Sequence, residues 1–285
     1  MATLAGKTLI MSGGSRGIGE AIALRAARDG ANIALLAKTT QPHPKLPGTI
    51  YTAAAAIEAA GGKALPIVCD VRDDDTVAAA VAATVEQFGG IDIVVNNASA
   101  IDLTPTDAVE MKRYDLMQDI NARGSFLLSK LAIPALRKAA NPHILTLSPP
   151  IRLEPKWFES GHLAYSIAKY SMSLVTVGLA AELKKDGIAA NSLWPRTAVA
   201  TAAIRNILGG DVEQRSRKPA IMADAAHTIL VKPSREVTGN FFIDDEVLVA
   251  EGITDLSDYR LAAREEDLEL DFWIDGLLPA PTGTV

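Results

Sequence analysis

The chain has 285 residues, and 48% of them are hydrophobic, which supports a large folded core and excludes a disordered protein. Its formal charge of −6 and its lack of basic runs make nucleic acid and acidic membrane surfaces poor partners. The single cysteine, Cys69, excludes an internal disulfide, and we interpret it as a small core residue.

Short apolar runs alternate with Ala-rich helical segments along the chain, which is the pattern of βαβ units. Strands are predicted at residues 7–12, 32–37, 64–68, 91–95, 143–147, 188–193 and 240–243. Helices are predicted at residues 17–29, 51–60, 73–88, 106–139 and 163–185, with Asp73 and Gly89 at the ends of the third. Because the strands are apolar on both faces, we predict an α/β fold with a doubly wound parallel sheet, whose ligands bind at the carboxyl ends of the strands.

A glycine-rich loop, residues 12–19, lies between the first strand and the first helix, with its glycines in a G-x-x-x-G-x-G spacing. Such a loop lets the main chain approach a pyrophosphate closely, and the following helix presents free N–H groups and a partial positive charge to it. The alternative is a tight strand-to-helix turn that binds no ligand. The cofactor contacts predicted in this loop are Gly13, Ser15, Arg16, Gly17, Ile18 and Gly19.

The second and third strands are followed by charged residues that bear on the choice of nucleotide. An NAD-preferring site usually has an acidic residue at the end of the second strand, but this chain has Lys38 there. Lys38 and Arg16 suit a 2′-phosphate, so we favour NADP(H) as the cofactor, with NAD(H) as the alternative. Asp70, after the third strand, is predicted either to accept a hydrogen bond from the adenine amino group or to cap the next helix. Its neighbour Val71 is a further predicted cofactor contact.

Tyr165 and Lys169 are four residues apart near the start of a predicted helix, which puts them on one helix face. A free tyrosine has a pKa of about 10, too high for efficient proton transfer at neutral pH, and a nearby ammonium is expected to lower that pKa. Tyr165 then gives a proton to a carbonyl, or takes one from an alcohol, while hydride moves to or from a nicotinamide. Such a pair is common on helices, and its position after the fifth strand gives it weight.

These motifs, together with residues 96–99 after the fourth strand, resemble the short-chain dehydrogenase/reductase family. The resemblance covers roughly residues 4–243. The resemblance implies a Rossmann-type sheet of about seven strands with helices on both faces. It also implies an NAD(P)-binding catalytic domain of residues 1–243, followed by a C-terminal extension of residues 244–285.

The resemblance assigns roles to individual residues. It implies that Lys169 also hydrogen-bonds the nicotinamide ribose, that Asn121 holds a water in a proton relay, and that Asn97 and Ala98 contact the cofactor. A closer likeness, to the hydroxysteroid dehydrogenase-like members of the family, is carried by residues 42–51, 147–150, 193–197 and 238–244.

Two positions depart from the family's pattern. Family members have two serines after the fifth strand, the second of them catalytic, whereas this chain has Ser148 and Pro149. Either Ser148 takes the catalytic role through a shifted loop, or the serine is missing and Tyr165 is the main group that polarises the carbonyl. After the sixth strand the family's Pro-Gly is Pro195-Arg196, and Arg196 is predicted either to bind an acidic group on the substrate or cofactor or to be a solvated loop residue.

We therefore predict an NADP(H)-dependent oxidoreductase that interconverts a carbonyl and a secondary alcohol. The alternative is an NADP(H)-binding sensor or scaffold protein with little or no turnover, which the Pro149 departure favours. Pro195 and Thr197 are predicted cofactor contacts, and Thr197 and Thr201 are both candidates to bind the nicotinamide amide. An apolar substrate is suggested by side chains that core packing explains nearly as well, namely Trp157, Phe158, Leu163 and Trp194.

Further expectations concern assembly, metals and location. In the family, the long helix at residues 106–139 and the Tyr165 helix form a dimer interface, which implies a homodimer or homotetramer. The histidines have no metal-ligand spacing, so we predict no metal site. They are His43, His143, His162 and His227. With no secretory leader before the first strand and no apolar stretch of about 18 residues, we expect a cytoplasmic protein without a membrane span.

Overall fold

The computed structural model describes residues 2–42 and 48–278, so His43, part of the segment 42–51 and the end of the C-terminal extension lie outside the described residues. Seven strands form one parallel sheet in the order β3-β2-β1-β4-β5-β6-β7. They are β1 (Thr8–Ser12), β2 (Asn32–Ala37), β3 (Lys63–Val68), β4 (Ile93–Asn96), β5 (His143–Thr146), β6 (Ala189–Trp194) and β7 (Phe241–Ile243). This confirms the predicted doubly wound, Rossmann-type fold. The strand order reverses between β1 and β4, where a crevice for ligands opens in such sheets.

Helices cover both faces of the sheet. They are α1 (Gly17–Arg28), α2 (Ile50–Ala59), α3 (Asp74–Phe88), α4 (Met111–Met117), α5 (Gly124–Leu136), α6 (Leu163–Glu182), α7 (Ala202–Ile207), α8 (Gly210–Gln214), α9 (Ala220–Leu230) and α10 (Asp244–Ala250). Helices α1, α2, α9 and α10 bury their apolar sides in one core, and α3, α5 and α6 bury theirs in another. The central strands are therefore buried from both sides, which explains their continuous apolar sequences.

Both ends of α3 follow from local sequence. The Asp73 side chain accepts a hydrogen bond from the Thr76 N–H at 2.8 Å and so caps the first turn. Gly89 ends the helix with a φ of 85°, a left-handed conformation that glycine adopts without strain. The capping alternative for Asp70 is wrong, because Asp73 holds that position.

The long helical region predicted over residues 106–139 consists of α4 and α5 joined by a π-helical turn, Gln118–Arg123. Asn121 lies in this turn and is fully buried. Its side chain accepts a hydrogen bond from the Ala100 N–H at 2.7 Å and donates one to the Ala100 carbonyl at 3.0 Å. The π-helical turn thus ties the α4–α5 unit to the segment that follows β4.

Within the described part of the chain, α6 alone is long and apolar enough to cross a membrane, judged by length and composition. The sequence analysis predicted this helix but found no apolar stretch of about 18 residues in it, because Lys169 interrupts the apolar run. In the fold, 61% of its apolar window is buried, and Tyr165 and Lys169 are on the buried side. These contacts are those of a core helix.

The C-terminal extension returns to the sheet after α10 and runs beside the chain that follows β6. The Arg196 guanidinium pairs with the Asp245 carboxylate at 2.7 Å, and Arg217 pairs with the same carboxylate at 2.9 Å and with Glu265. Arg217 and Asp245 are completely buried. Both predictions for Arg196 are therefore wrong, since this side chain is neither solvated nor available to a ligand. Its carboxylate partner lies 49 residues away in the sequence and only folding brings the two together.

Candidate active site

A cleft of about 540 Å³ opens at the carboxyl ends of the strands on either side of the β1/β4 crevice. We call it the large cleft. The structure brings together here most of the residues that we predicted to bind a cofactor. They are Gly13, Ser15, Arg16, Gly17, Ile18, Lys38, Asp70, Val71, Asn97 and Ala98. Cys69 also lines the cleft and is otherwise buried; burial raises the pKa of its thiol, which favours the uncharged form expected of a packing residue.

The glycine loop leaves room for a ligand to approach its main chain. Gly13 has a φ of 73°, and a Cβ there would lie 2.9 Å from the Ala98 Cα. Gly17 has a φ of 63° and begins α1, whose first turn has no side-chain cap from the described residues. These uncapped N–H groups, at the positive end of the helix, form a cradle that fits a pyrophosphate.

Gly19, the third glycine of the motif, does not line the cleft. A Cβ at this position would come within 2.5 Å of the Asn97 Nδ2 and 2.8 Å of the Gly13 carbonyl oxygen. Asn97 itself donates to the main-chain oxygens of Ser12 and Gly13 at 3.1 and 2.8 Å. Gly19 is therefore needed for the close packing of α1 on this brace, and its contact with the cofactor stays a prediction.

Charged side chains gather at the ends of β2 and β3. Lys38 Nζ lies 3.1 Å from the Asp70 carboxylate, and Arg72 lies 2.6 Å from the same oxygen. The hydrogen bonds from Arg72, and then from Lys38, hold the pKa of Asp70 well below its usual range. Arg16, on the other wall, donates to the Gly48 carbonyl at 2.8 Å. Lys38, Arg72 and Arg16 therefore bring three cations to this end of the cleft, next to the Asp70 carboxylate.

A smaller cavity of about 190 Å³ adjoins the large cleft, and Ile18, Asn97 and Thr201 line both. We call it the inner cavity. Its remaining walls include Tyr165, Lys169, Trp194, Pro195, Asp271 and Phe272. Tyr165 and Lys169 thus lie directly beyond the glycine loop, in a space large enough for a small group.

Lys169 is buried beneath this cavity. Its Nζ donates to the Leu147 carbonyl at 2.9 Å and lies 5.1 Å from the centre of a Trp194 ring. Burial disfavours the ammonium and lowers the pKa of Lys169 to about 7.

The pKa of Tyr165 differs from the prediction made from its spacing to Lys169. Burial raises it above its usual value, and the nearby Asp271 carboxylate raises it further. The expected lowering of the Tyr165 pKa by Lys169 is therefore wrong, because Lys169 is itself buried and favours its neutral form.

The C-terminal extension forms one wall of the inner cavity, which the sequence prediction missed. The Trp273 ring stacks on Tyr165 at a centroid distance of 5.9 Å and an angle of 28°. The Phe272 ring meets Tyr165 edge-on at 6.1 Å. A signal was available in the sequence: Phe272 and Trp273 are adjacent aromatic residues in a chain with only 5% of them.

Several predicted site residues lie outside both cavities. Ser148 is fully buried, and its hydroxyl has no hydrogen-bond partner among the described residues. Thr197 is buried and donates to the Ala198 carbonyl, whereas Thr201, the other candidate, lines both cavities. The Asn121 side chain is hydrogen-bonded to the main chain of Ala100. Neither cavity is lined by the predicted substrate residues Trp157, Phe158 and Leu163.

In the described ranges, no group of three or more His, Cys, Asp or Glu side chains is arranged to hold a metal ion. The buried His143 hydrogen-bonds the Lys232 carbonyl, and His227 pairs with Asp29.

Comparison with known proteins identifies the group to which this architecture belongs. The profile of the short chain dehydrogenase family matches residues 7–208. The chain belongs to the short-chain dehydrogenase family. Members of this family are oxidoreductases that use NAD(P) cofactors, bind small substrates and are usually oligomeric.

Individual relatives support the closer likeness. Hydroxysteroid dehydrogenase-like protein 2 from Xenopus laevis is 57% identical over 272 residues, and the human protein of that name is 53% identical. The chain spans 64% of the length of these relatives. The crystal structure of a short chain dehydrogenase from Mycobacterium thermoresistibile is 58% identical, covers 99% of both chains and has a TM-score of 0.91. The predicted resemblance to the hydroxysteroid dehydrogenase-like members is confirmed.

Proposed function

We propose that this protein interconverts a carbonyl and a secondary alcohol with NADP(H) as the cofactor. The observation that carries the proposal is the adjoining pair of cavities. The glycine loop and the α1 N-terminus line the first, and Tyr165 and Lys169 line the second. The glycine loop would hold the phosphates of a dinucleotide, and the inner cavity with Tyr165 and Lys169 would take its nicotinamide end.

The reaction joins a ketone, NADPH and one proton to give a secondary alcohol and NADP⁺, and it is reversible. The bound nicotinamide supplies or accepts the hydride at the substrate carbon. In reduction, the Tyr165 O–H bond breaks and its proton forms the new O–H bond of the alcohol. Lys169, held by the Leu147 carbonyl, can return a proton to the phenolate, since the pKa of Lys169 of about 7 allows both protonation states near neutrality. The aromatic wall of Trp194 and Phe272 excludes water from this transfer.

The charge around the adenosine end favours NADP(H) over NAD(H). Replacing Lys38 with aspartate turns an attraction for the 2′-phosphate into a repulsion. Because Lys38 is 55% exposed, we expect a change of about 2 kcal/mol, or roughly thirtyfold, in the NADPH-to-NADH affinity ratio. Calorimetric titration of both cofactors into the wild type and Lys38→Asp measures this ratio.

The matched control is Lys63→Asp, which makes the same charge change at the exposed amino end of β3, away from the cleft. It should leave both affinities unchanged. Equal binding of NADPH and NADH by the wild type would refute the NADP(H) preference, and binding of neither would refute the nucleotide site itself.

A second candidate function is an NADP(H)-binding sensor or scaffold with little or no turnover. The position of Ser148 outside the inner cavity and the raised pKa of Tyr165 favour it. The two candidates differ in a turnover assay at saturating NADPH: the enzyme consumes NADPH in the presence of a ketone, whereas the sensor binds NADPH without consuming it.

We propose that α5 and α6 form the interface of a homodimer, which can pair further into a homotetramer. Phe126 on α5 is 50% exposed, and the α6 residues Ile167, Leu174 and Val177 are 39%, 61% and 43% exposed. The three α6 residues fall on one side of the helix, because their spacing is seven and three residues. Exposed apolar stripes of this kind mark association surfaces.

Replacing Leu174 with aspartate puts a charge in the centre of this stripe. We expect Leu174→Asp to sediment as a monomer near 30.1 kDa, while the wild type sediments at twice or four times that mass. Leu261→Asp is the control, since Leu261 is 40% exposed but belongs to the C-terminal extension. A wild type that is monomeric at micromolar concentration would refute the interface.

Three further statements stay predictions. They are the small apolar substrate, the cytoplasmic location and the boundary between residues 1–243 and 244–285.

A further inference from the structure

The inner cavity contains an acidic side chain that the mechanism above does not use. Asp271, from the C-terminal extension, lines this cavity together with Tyr165 and Lys169. The residue lies deep in the fold, and its side chain is only partly exposed. Asp271 is therefore close to any group that reacts with Tyr165.

Hydrogen bonds fix the position of Asp271. Its main-chain N–H donates to the Arg196 carbonyl at 2.9 Å, and the Trp194 indole donates to the Phe272 carbonyl at 3.0 Å. The Phe272 N–H donates to the Asp271 Oδ1 at 2.7 Å. Among the described residues, no hydrogen-bond partner is found for Oδ2. The carboxyl group thus has one oxygen engaged by the protein and one for a ligand.

The turn that carries Asp271 is held in a strained conformation. Trp273 has a φ of 64°, and it is the one non-glycine residue in the described ranges with a positive φ. A bulky residue adopts this conformation only where the surrounding packing requires it. Trp273 is buried and stacks on Tyr165, so packing against the Tyr165 ring holds the Asp271 turn in this conformation.

The inner cavity has no hydroxyl from the segment after β5. Pro149 has none, and the Ser148 hydroxyl is buried away from the cavity lining. A ketone oxygen that accepts a hydrogen bond from Tyr165 has a second lone pair, and a second donor there stabilises the negative charge that develops on it.

We propose that Asp271 is a catalytic residue that donates, as a carboxylic acid, this second hydrogen bond to the substrate oxygen. The inference rests on the proposed carbonyl–alcohol interconversion. In reduction, the Asp271 O–H bond stays intact and only donates a hydrogen bond, while the proton of the product alcohol comes from Tyr165. Atoms and electrons balance as in the proposed reaction, because Asp271 begins and ends each turnover protonated.

The surroundings of Asp271 favour the protonated form. Burial raises the pKa of Asp271 to about 7, and Asp244 raises it as a like charge. The hydrogen bond from the Phe272 N–H and the nearby Lys169 act in the opposite direction. The raised pKa makes the protonated form of Asp271 accessible near neutral pH. Tyr165 also lies beside Asp271 and is uncharged at neutral pH, because its own pKa is raised. A carboxyl group kept neutral by an apolar site is a known way to supply such a donor.

Steady-state reduction of cyclohexanone, 2-decanone and acetophenone by NADPH tests the proposal in three variants. Removal of one donor to a developing oxyanion costs about a hundredfold in kcat, so Asp271→Ala should lose roughly that factor. Asp271→Asn keeps an N–H donor and should stay within about tenfold of the wild type. Ser148→Ala is the control and should keep the wild-type kcat. NADPH affinity should not change in any of the three.

Infrared difference spectra separate a catalytic role from a structural one. Wild type minus Asp271→Asn, both with NADP⁺ at pH 7, should show a protonated carboxyl band. That band should shift to lower frequency when the best ketone of the panel is added, because the carboxyl then donates a hydrogen bond. A carboxyl that is fully ionised, or a band that the ketone does not move, overturns the proposal.

The kinetic outcomes distinguish the two levels of inference. If Asp271→Ala retains the wild-type activity, the proposed role of Asp271 is overturned and the proposed function stays intact. A wild type that binds NADPH but reduces none of the ketones contradicts the proposed function, and the role of Asp271 falls with it.

Discussion

Replacing Tyr165 with phenylalanine is expected to lower kcat/KM for ketone reduction by about a hundredfold to ten-thousandfold. The change removes the hydroxyl that gives its proton to the substrate and keeps the ring that packs on Trp273 and Phe272. Binding of NADPH should stay within about twofold, because the glycine loop and the charged end of the large cleft are unaffected. Turnover and calorimetric binding measured on the same preparation give both quantities.

Tyr170→Phe is the matched control on the same helix. The Tyr170 hydroxyl donates to the Arg152 carbonyl at 2.7 Å, and its ring lies 5.3 Å from the Trp273 ring, but it does not line the inner cavity. Removing this hydroxyl is expected to cost about 1 kcal/mol of stability and leave kcat within about threefold. Tyr165→Phe with wild-type turnover would contradict the proposed chemistry, and equal losses in both variants would indicate a packing effect.

The Arg217→Ala variant is expected to be less stable than the wild type by about 3–5 kcal/mol and to unfold at a temperature lower by roughly 10 °C. Arg217 and its partner Asp245 are both completely buried, and Arg217 also pairs with Glu265. Truncation leaves the Asp245 carboxylate in the interior with only the Arg196 cation to compensate it. Thermal and denaturant unfolding followed by circular dichroism measure the change.

Arg215→Ala is the control for this prediction. Arg215 lies two residues away, is 49% exposed and pairs with Glu269 at the surface. Its loss should change stability by less than about 1 kcal/mol. If the two variants unfold at the same temperature, the buried ionic cluster does not stabilise the fold. Because this cluster anchors the extension that carries Asp271, Arg217→Ala should also reduce turnover at temperatures where the protein stays folded.

Much of the fold and part of the candidate site could be predicted from local sequence. The alternation of apolar strands and helices gave the parallel sheet, because burial on both faces requires continuous apolar runs. The glycine loop and the Tyr165/Lys169 spacing act over fewer than ten residues, where backbone conformation and helix periodicity decide which groups meet. Asp73 and Gly89 likewise set the ends of α3 through contacts within one helical turn.

The tertiary structure decided the features that depend on distant partners. Asp271 is about a hundred residues from Tyr165 along the chain, and no periodicity connects them. Arg196 is charged, and sequence alone puts such a residue in solvent. The Asp245 and Glu246 carboxylates of α10 pair with its guanidinium and reverse that expectation.

Sequence by itself therefore determined the sheet, the nucleotide loop and the two residues on α6, since local forces position each of them. Tertiary packing decided which side chains complete the inner cavity and how they titrate. Pairing between a phenolate and an ammonium would lower the pKa of Tyr165 and raise that of Lys169. In the fold the pKa of Tyr165 is raised and that of Lys169 is lowered, because burial disfavours the charged form of both. Desolvation is a property of everything that surrounds a group, and only the folded chain brings those surroundings together.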